Sequence, residues 1–269
     1  GYVSAIPVPI TDGTGTAASF YSPFGVTTDG TNLYVVDNTS IRQMVIATGA
    51  VTTLAGSTLG ASGSTDGTGT AARFALARGI TTHGTSLFVA DTGNSTIRKI
   101  VIATGAVTTL AGTAGSNGST DGTGTAANFN GPPGITTDGT NLYVADTGNN
   151  AVRRIVIATG VVTTLAGGTW GSTDGTGTAA QFYSPSGITT DGTNLYVADS
   201  LNTTIRKIVI ATGAVTTLAG TGYGTAGWGS AAVDGTGTAA RFARPQGITS
   251  DGTSLYVSDI VSTTLRKMQ

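Results

Sequence analysis

The sequence predicts an all-β fold built from five copies of one unit, and three features carry that prediction. The heptapeptide Asp-Gly-Thr-Gly-Thr-Ala-Ala occurs five times at intervals of 53 to 60 residues, a period typical of solenoids and propellers. Each copy is followed by four short runs rich in Val, Ile, Thr and aromatic residues, a composition typical of strands. Short turns containing Gly join successive runs. Four antiparallel strands repeated in this way predict a β-propeller with five four-stranded blades.

The second unit shows the four predicted strands most clearly, at residues 79–82, 87–91, 97–102 and 106–110. In the first unit, Asp29-Gly30-Thr31 joins the first two runs, and an Asp-Gly pair favours a tight hairpin with positive φ. In the second unit, Ala103-Thr104-Gly105 joins the third and fourth runs. The predicted blades cover residues 20–56, 74–112, 129–167, 182–220 and 242–269.

The two ends of the chain predict how the propeller closes. The last unit ends with its third run, whereas residues 1–6 align with the fourth run of the first unit at residues 49–54. We therefore expect residues 1–8 to supply the missing fourth strand of the fifth blade, so that residues 1–269 form a single domain. Pairing the ends in this way would remove two exposed sheet edges.

The repeated segments resemble those of the NHL-repeat β-propeller family. The resemblance rests on Gly-Ile-Thr-Thr-Asp, Leu-Tyr-Val-Ala-Asp, a following Asn, Ile-Arg-Lys-Ile and Val-Thr-Thr-Leu-Ala-Gly, and it covers nearly the whole chain. Members of that family more often have six blades, so five would be a departure. The resemblance implies functions that range from protein-binding and RNA-binding modules to metal-dependent lyases, and fold alone does not choose among them.

Composition narrows the classes of partner. The chain has 13 Lys and Arg against 14 acidic residues, so it lacks the basic surface expected of a nucleic-acid-binding protein. It has no apolar stretch long enough for membrane insertion and no Cys for disulfides or thiolate metal sites. Repeats rich in Thr and free of Glu and Cys resemble those of secreted bacterial surface proteins. We expect an extracellular or cell-surface monomer that binds a protein or a glycan.

The acidic residues are all Asp, and all occupy three recurring positions. Five open the repeated loops: Asp12, Asp66, Asp121, Asp174 and Asp234. Four lie in hairpin turns: Asp29, Asp138, Asp191 and Asp251. Five end second strands: Asp37, Asp91, Asp146, Asp199 and Asp259. The only histidine, His83, takes a hairpin position that is Asp in the other units. Since no acid or base lies outside the repeat pattern, we expect no catalytic residue, metal site or cofactor.

Two structural roles are predicted for these aspartates. The loop aspartates are expected to tighten their own Gly-rich loops rather than bind calcium, because the spacing does not match a calcium loop. The strand-end aspartates recur with an Arg in the next strand, and adjacent antiparallel strands would bring each pair within reach. The predicted ion pairs are Asp37 with Arg42, Asp91 with Arg98, Asp146 with Arg153, Asp199 with Arg206 and Asp259 with Arg266.

Four arginines lie outside the third strands and flank the start of a first strand: Arg73, Arg78, Arg241 and Arg244. They belong to units two and five, which in a closed ring lie on either side of unit one with its Tyr21 and Phe24. One interpretation is a cationic, aromatic patch that binds a carboxylate or a sulfated ligand. The alternative is that these are solvated surface arginines.

A group of aromatic residues lies in the loops between blades, where the units differ in length. Trp170 follows unit three, Tyr223 and Trp228 follow unit four, and Tyr183 is close by in sequence. Loop aromatics commonly contact sugars or proteins. They can equally fill gaps beneath long loops.

These observations favour a non-catalytic repeat scaffold or binding module that presents variable loops on one face to a protein, a glycan or a small anionic ligand. One alternative is a metal-assisted lyase or hydrolase of the NHL-propeller type, which the family resemblance alone supports. A third interpretation is purely structural: a tandem repeat that was recently amplified or engineered, without a selected ligand.

Overall fold

The structure, a computed structural model, describes residues 10–222 and 232–269. It is an all-β propeller with five blades, which fall into two compact units, Gly1–Ser116 and Asn117–Gln269. The first unit contributes two blades and the second contributes three. Residues 1–8, predicted to close the last blade, lie outside the described residues, so that closure stays a prediction, as do the blade boundaries. Among the residues that the structure describes, no helix has the length and apolar character needed to cross a membrane.

The first unit contains two antiparallel sheets. The first sheet comprises β1 (Gly13–Thr14), β2 (Pro23–Thr28), β3 (Asn32–Asp37), β4 (Ser40–Val45) and β5 (Ala50–Gly56). The second sheet comprises β6 (Gly67–Thr68), β7 (Ile80–His83), β8 (Ser86–Asp91), β9 (Thr96–Val101) and β10 (Ala106–Ala111).

The second unit contains three antiparallel sheets. The third sheet comprises β11 (Gly122–Thr123), β12 (Gly134–Thr137), β13 (Asn141–Asp146), β14 (Ala151–Val156) and β15 (Val161–Gly167). The fourth sheet comprises β16 (Gly175–Thr176), β17 (Pro185–Thr190), β18 (Asn194–Asp199), β19 (Thr204–Val209) and β20 (Ala214–Ala219). The fifth sheet comprises β21 (Pro245–Ser250), β22 (Leu255–Asp259) and β23 (Thr264–Met268).

The helical segments within the described residues are 3-10 turns of three residues. Five lie within the repeated heptapeptide: Gly15–Ala17, Gly69–Ala71, Gly124–Ala126, Gly177–Ala179 and Gly237–Ala239. Two more, Thr92–Asn94 and Thr147–Asn149, join the second and third strands of their blades.

Four of the blades contain five strands, one more than the sequence predicts. The extra strand is the Gly-Thr pair of the heptapeptide, which lies at the outer edge of the sheet; in the second blade, Gly67 pairs with Val107 and Thr68 with Ala106. Thr68 is extended, with φ −111° and ψ 133°, and Gly69 then reverses the chain with φ +57°. The short strand covers part of an edge that would otherwise be open to another chain.

The hydrophobic core lies between neighbouring blades of each unit. In the first unit, Phe74 from the loop that enters the second blade packs with Tyr34 and Val36 of the first blade and Leu87 of the second. In the second unit, Phe182 occupies the corresponding place between the third and fourth blades. Phe74 and Phe182 each contact two blades and therefore link them. Burying one such ring contributes about 1.5–3 kcal/mol to stability.

The first strands of neighbouring blades lie close together, and glycine makes that approach possible. β7 contacts β2 in the first unit, and β17 contacts both β12 and β21 in the second. A Cβ on Gly134 would lie 2.1 Å from the carbonyl oxygen of Ser186, and one on Gly25 would lie 2.2 Å from that of Arg78. A side chain at either position would therefore push two blades apart.

Candidate ligand-binding site

An arginine in each blade ties its strands to the repeated loop, and in the first four blades this arginine is fully buried. In the second blade, Arg98 Nη1 lies 2.9 Å from Asp91 Oδ2, and Nη2 lies 2.7 Å from Asp66 Oδ1. The guanidinium carbon is 5.2 Å from the centre of the Phe74 ring. Both ionic contacts are charge-assisted hydrogen bonds, the stronger kind. We call Arg98 and its equivalents, with their two aspartates and their phenylalanine, the arginine centres.

The arginine centres differ between blades. The structure brings Asp146 to 2.8 Å from Arg153 and Asp199 to 2.9 Å from Arg206. In the first blade, Asp37 Oδ2 lies 3.7 Å from Arg42 Nη1, and the shorter contact, 2.9 Å, is with Asp12.

The fifth blade departs from the predicted pairing. Arg266 pairs with Asp234 at 2.7 Å, and within the described part of this blade it makes no ion pair with Asp259. Asp259 instead accepts hydrogen bonds from the backbone N–H groups of Ala243 and Arg244, both at 2.7 Å, so each of its two oxygens has a partner in the loop.

Sequence reasoning missed two members of each arginine centre, the loop aspartate and the phenylalanine. Asp66 does more than tighten its own loop, because it also accepts hydrogen bonds from the backbone N–H and the hydroxyl of Thr109, at 3.1 and 3.0 Å. The sequence did contain a signal for both, because the spacing of Asp66, Phe74 and Arg98 recurs in the second to fifth repeats.

In the second, third and fourth blades, the two aspartates of the arginine centre have opposite pKa shifts. Burial raises the pKa of Asp199 to about 6, although hydrogen bonds from Asn202, the Tyr183 N–H and Arg206 oppose the shift. Partial burial also acts against ionisation of Asp174, but hydrogen bonds from Thr217 and Arg206 outweigh it and lower the pKa of that carboxyl. Desolvation therefore dominates at the buried carboxyl of Asp199, whereas hydrogen bonding dominates at the partly exposed carboxyl of Asp174.

The hairpin aspartates also have structural partners. Asp29 Oδ1 accepts hydrogen bonds from the N–H groups of Thr31 and Asn32 at 2.9 and 2.7 Å. These bonds and one from the Tyr34 hydroxyl hold the pKa of Asp29 well below its usual range. His83, which takes this position in the second blade, is exposed at the end of β7.

The four arginines that flank the first strands fall into two pairs, one in each of the two compact units. Arg78 stacks over Phe24, with 4.9 Å between the guanidinium carbon and the ring centre. Arg73 donates to the Thr70 and Ala72 carbonyls at 2.5 and 2.7 Å, so it bonds to its own loop. Arg241 and Arg244 are exposed in the second unit. The single patch that these arginines would form, with Tyr21, draws on both units and stays a prediction.

A cavity of about 800 Å³ lies in the second compact unit, among the loops that join the third and fourth blades of the propeller. Trp170 lines this cavity and is 68% exposed. Its ring centre lies 6.2 Å from that of Tyr183, and the ring planes are inclined at 52°. The structure thus brings together two of the four predicted aromatic residues. The other two, Tyr223 and Trp228, lie outside the described residues.

The loop that carries Trp170 is held at three points. It is the shortest connection between blades, with six residues between Gly167 and Asp174. Backbone hydrogen bonds join Gly168 N to Asn150 O at 3.0 Å, Gly171 N to Phe182 O at 3.1 Å and Gln181 N to Thr173 O at 2.9 Å. Trp170 is therefore presented on a fixed loop.

The remaining wall of the cavity is polar and uncharged. It consists of side-chain amides, hydroxyls and glycine: Ser119, Gly148, Asn149, Asn150, Gly168, Thr169, Gly171, Ser172, Thr173, Gln181 and Asn202. None of the described residues that line the cavity carries a charged side chain. An amide or hydroxyl both donates and accepts hydrogen bonds, so this wall suits a ligand that does the same.

Two asparagines connect the cavity to the arginine centres. Asn149 Nδ2 donates to Asp146 Oδ2 at 2.8 Å and to Gly118 O at 2.7 Å. Asn202 Nδ2 donates to Asp199 Oδ2 at 2.7 Å and to Gly171 O at 2.6 Å. The carboxylate that holds each buried arginine thus also fixes a cavity-lining amide.

Comparison with known proteins places the chain among repeat propellers. No family model matches it. NHL repeat-containing protein 2 of Bos taurus is 38% identical over 130 residues, which cover 44% of this chain and 17% of that protein. The human protein of the same name is 35% identical over 144 residues, covering 49% of this chain and 20% of that protein. The chain therefore spans a fifth or less of the length of these curated relatives.

Solved structures share the fold at low sequence identity. An auxiliary nutrient binding protein from Bacteroides ovatus has a TM-score of 0.68 and 20% identity, over 94% of this chain and 60% of that one. A chain of a nidogen/laminin complex has a TM-score of 0.63 and 18% identity, over 92% and 75% of the two chains. Virginiamycin B lyase from Staphylococcus aureus has a TM-score of 0.58 and 16% identity, over 97% and 73%. The five repeated sheets make the chain a β-propeller, and its sequence is similar to that of NHL repeat-containing protein 2.

Proposed function

We propose that the chain is a non-catalytic binding module and that the cavity beside Trp170 is its ligand site. The observation that carries the proposal is the exposed Trp170 ring beside Tyr183, above a cavity lined by amides and hydroxyls. A large aromatic ring held in water on a fixed loop contributes nothing to the core, but it provides apolar contact area for a partner. Because the loop is already ordered, little conformational entropy is lost when a ligand binds.

The positions of the acidic groups support binding rather than catalysis. Each of the fourteen aspartates lies within the described residues and accepts at least one structural hydrogen bond, and the chain has neither Glu nor Cys. The described residues hold no group of three or more His, Cys, Asp or Glu side chains arranged to bind a metal ion. General acid–base catalysis needs a group that is free to exchange a proton at the substrate. In this cavity, Tyr183 is the only titratable side chain among the described lining residues.

The proposal also covers the cellular location and the oligomeric state of the chain. The likeness in fold to an auxiliary nutrient binding protein supports a binding role, and we retain an extracellular or cell-surface location and a monomeric state as parts of the proposal. Sedimentation of the purified chain tests the monomer: a single species of about 26.5 kDa is expected, and a dimer at micromolar concentration would contradict it.

A binding screen with two variants tests the function. We expect at least one probe from a set of oligosaccharides, short peptides and anionic polymers to bind, as measured by saturation-transfer NMR. Trp170→Ala should weaken that binding at least tenfold, whereas Tyr21→Ala should not change it. Tyr21 is the matched control, because it occupies the repeat position of Tyr183 in the first blade and is 48% exposed. Binding that Trp170→Ala leaves intact would place the ligand elsewhere and overturn the proposal.

A further inference from the structure

We propose that the cavity beside Trp170 binds an uncharged oligosaccharide; this inference rests on the binding role proposed above. Three properties of the described lining lead to this class of ligand: the pair of aromatic rings, the lack of charge and the volume. Each excludes some of the other small ligands that a loop cavity can accept.

The aromatic pair suits the face of a sugar ring. Trp170 and Tyr183 form a tilted wall, with their planes inclined at 52° and their centres 6.2 Å apart. A pyranose has an apolar face of C–H groups and a rim of hydroxyls, so it can place the C–H face on an indole while its hydroxyls point to polar groups. Indole and phenol rings supply such apolar area with few rotatable bonds to immobilise.

The lack of charge in the lining argues against ionic ligands. A carboxylate, sulfate or phosphate would require Arg, Lys or a cluster of N–H donors to replace its hydration. The described lining offers Asn, Gln, Ser and Thr side chains instead. Amides and hydroxyls complement sugar hydroxyls, because each group can donate to one partner and accept from another.

The volume of the cavity indicates more than one sugar ring. About 800 Å³ corresponds to the volume of roughly 27 water molecules in the liquid. A hexose has about twelve heavy atoms, each comparable in size to a water oxygen, so the cavity has room for about two rings. We therefore expect di- or trisaccharides to bind more tightly than monosaccharides.

The test uses a chain in which Trp170 is the only tryptophan. Trp228→Phe removes the other tryptophan, so that changes in emission report on the cavity. The probes are maltotriose, cellotriose, mannotriose and triacetylchitotriose as neutral sugars, trigalacturonate as an anionic sugar, and triglycine as a peptide. Emission and titration calorimetry are measured at 50 and 500 mM NaCl.

We expect at least one neutral trisaccharide to shift Trp170 emission and to bind with a Kd that changes less than twofold between the two salt concentrations. Tyr183→Ala should raise that Kd at least fivefold, and Trp170→Ala, followed by calorimetry, at least tenfold. Trp170→Phe, which keeps a ring, should have a smaller effect. Tyr21→Ala should leave the Kd unchanged.

Two other outcomes are distinguishable. If trigalacturonate or triglycine binds in a Trp170-dependent way and the neutral sugars do not, the sugar class is overturned and the binding role stands. If no probe shifts Trp170 emission or produces heat at millimolar concentration, both the sugar class and the binding role at this cavity are overturned.

Discussion

Tyr143 donates its hydroxyl hydrogen to Asp138 Oδ2 across 2.7 Å, and the pair joins the second strand of the third blade to the hairpin before it. Three other blades repeat the contact, with Asp29 and Tyr34 at 2.7 Å, Asp191 and Tyr196 at 2.9 Å, and Asp251 and Tyr256 at 2.8 Å. The second blade has His83 and Phe88 at the two positions. The second blade, which lacks the hairpin aspartate, therefore also lacks the tyrosine. This is expected, because a tyrosine hydroxyl there would have no carboxylate acceptor.

A double-mutant cycle in the second blade tests this coupling. Phe88 is almost fully buried, so Phe88→Tyr alone should lower the free energy of unfolding by about 1–3 kcal/mol, because its hydroxyl lacks the carboxylate acceptor. His83→Asp alone should change it by less than about 0.5 kcal/mol at this exposed position. Together, the two substitutions should recover about 1 kcal/mol, as measured by chemical denaturation. Additive effects would show that the Asp–Tyr contact does not couple the two positions.

The arginine centres predict a difference between two chemically identical substitutions. Arg153→Lys should cost about 3 kcal/mol, because one ammonium cannot bridge Asp146 and Asp121 and leaves a buried carboxylate unpaired. Arg266→Lys is the matched control; its partner Asp234 is fully exposed, and exposed pairs contribute less than about 1 kcal/mol. Equal losses of stability in thermal or chemical denaturation would mean that burial of Asp146 does not set the strength of these pairs.

Local sequence features predict the strands well, because each depends on a short stretch of chain. The Val, Ile and Thr runs specify strands, and the Asp-Gly turns fix the hairpins between them. The contact between Asp91 and Arg98 could also be anticipated, because adjacent antiparallel strands bring together residues that are close in sequence. The two-residue edge strand was missed, since Gly and Thr in a turn-like heptapeptide carry no strand signal of their own.

Contacts set by the packing of blades could not be predicted in the same way. Asp66 and Phe74 reach Arg98 across more than twenty residues of intervening chain, and the hydrophobic core between two blades positions them. Trp170 and Tyr183 were singled out as unusual loop residues. Their shared cavity depends on the asparagines of two different blades, and no local pattern connects those residues.

Leu76 adopts a backbone conformation that leucine rarely takes. Its φ is +48°, and its side chain is 56% exposed; the third blade has Gly131 at the same repeat position, with φ +60°. A left-handed conformation costs an ordinary residue about 1–2 kcal/mol, whereas Asn adopts it more readily. Leu76→Asn should therefore stabilise the protein by about 1 kcal/mol. Leu59→Asn, at an exposed leucine without positive φ, should stay within about 0.5 kcal/mol in the same denaturation assay; a loss at Leu76 would contradict the prediction.

Asp199 and Asp174 bind the same guanidinium, that of Arg206, yet their contributions to stability should change with pH in opposite directions. The pKa of Asp199 is raised to about 6 by burial, so the folded state binds its proton more readily than the unfolded state does. Stability from this group is present at low pH and is lost as the pH rises through 6. The pKa of Asp174 is lowered, so its contribution is present above pH 4 and is lost as the pH falls below that value.

Single amide substitutions separate the two effects, because Asn cannot titrate. The difference in unfolding free energy between the parent chain and Asp199→Asn should increase by about 2 kcal/mol as the pH falls from 7 to 4, given about 1.4 kcal/mol per pKa unit. The corresponding difference for Asp174→Asn should decrease as the pH falls from 5 to 3. Urea denaturation across this range measures both slopes, and the constant cost of losing either ion pair does not affect them. Parallel slopes would mean that the guanidinium, rather than burial, controls the ionisation of Asp199.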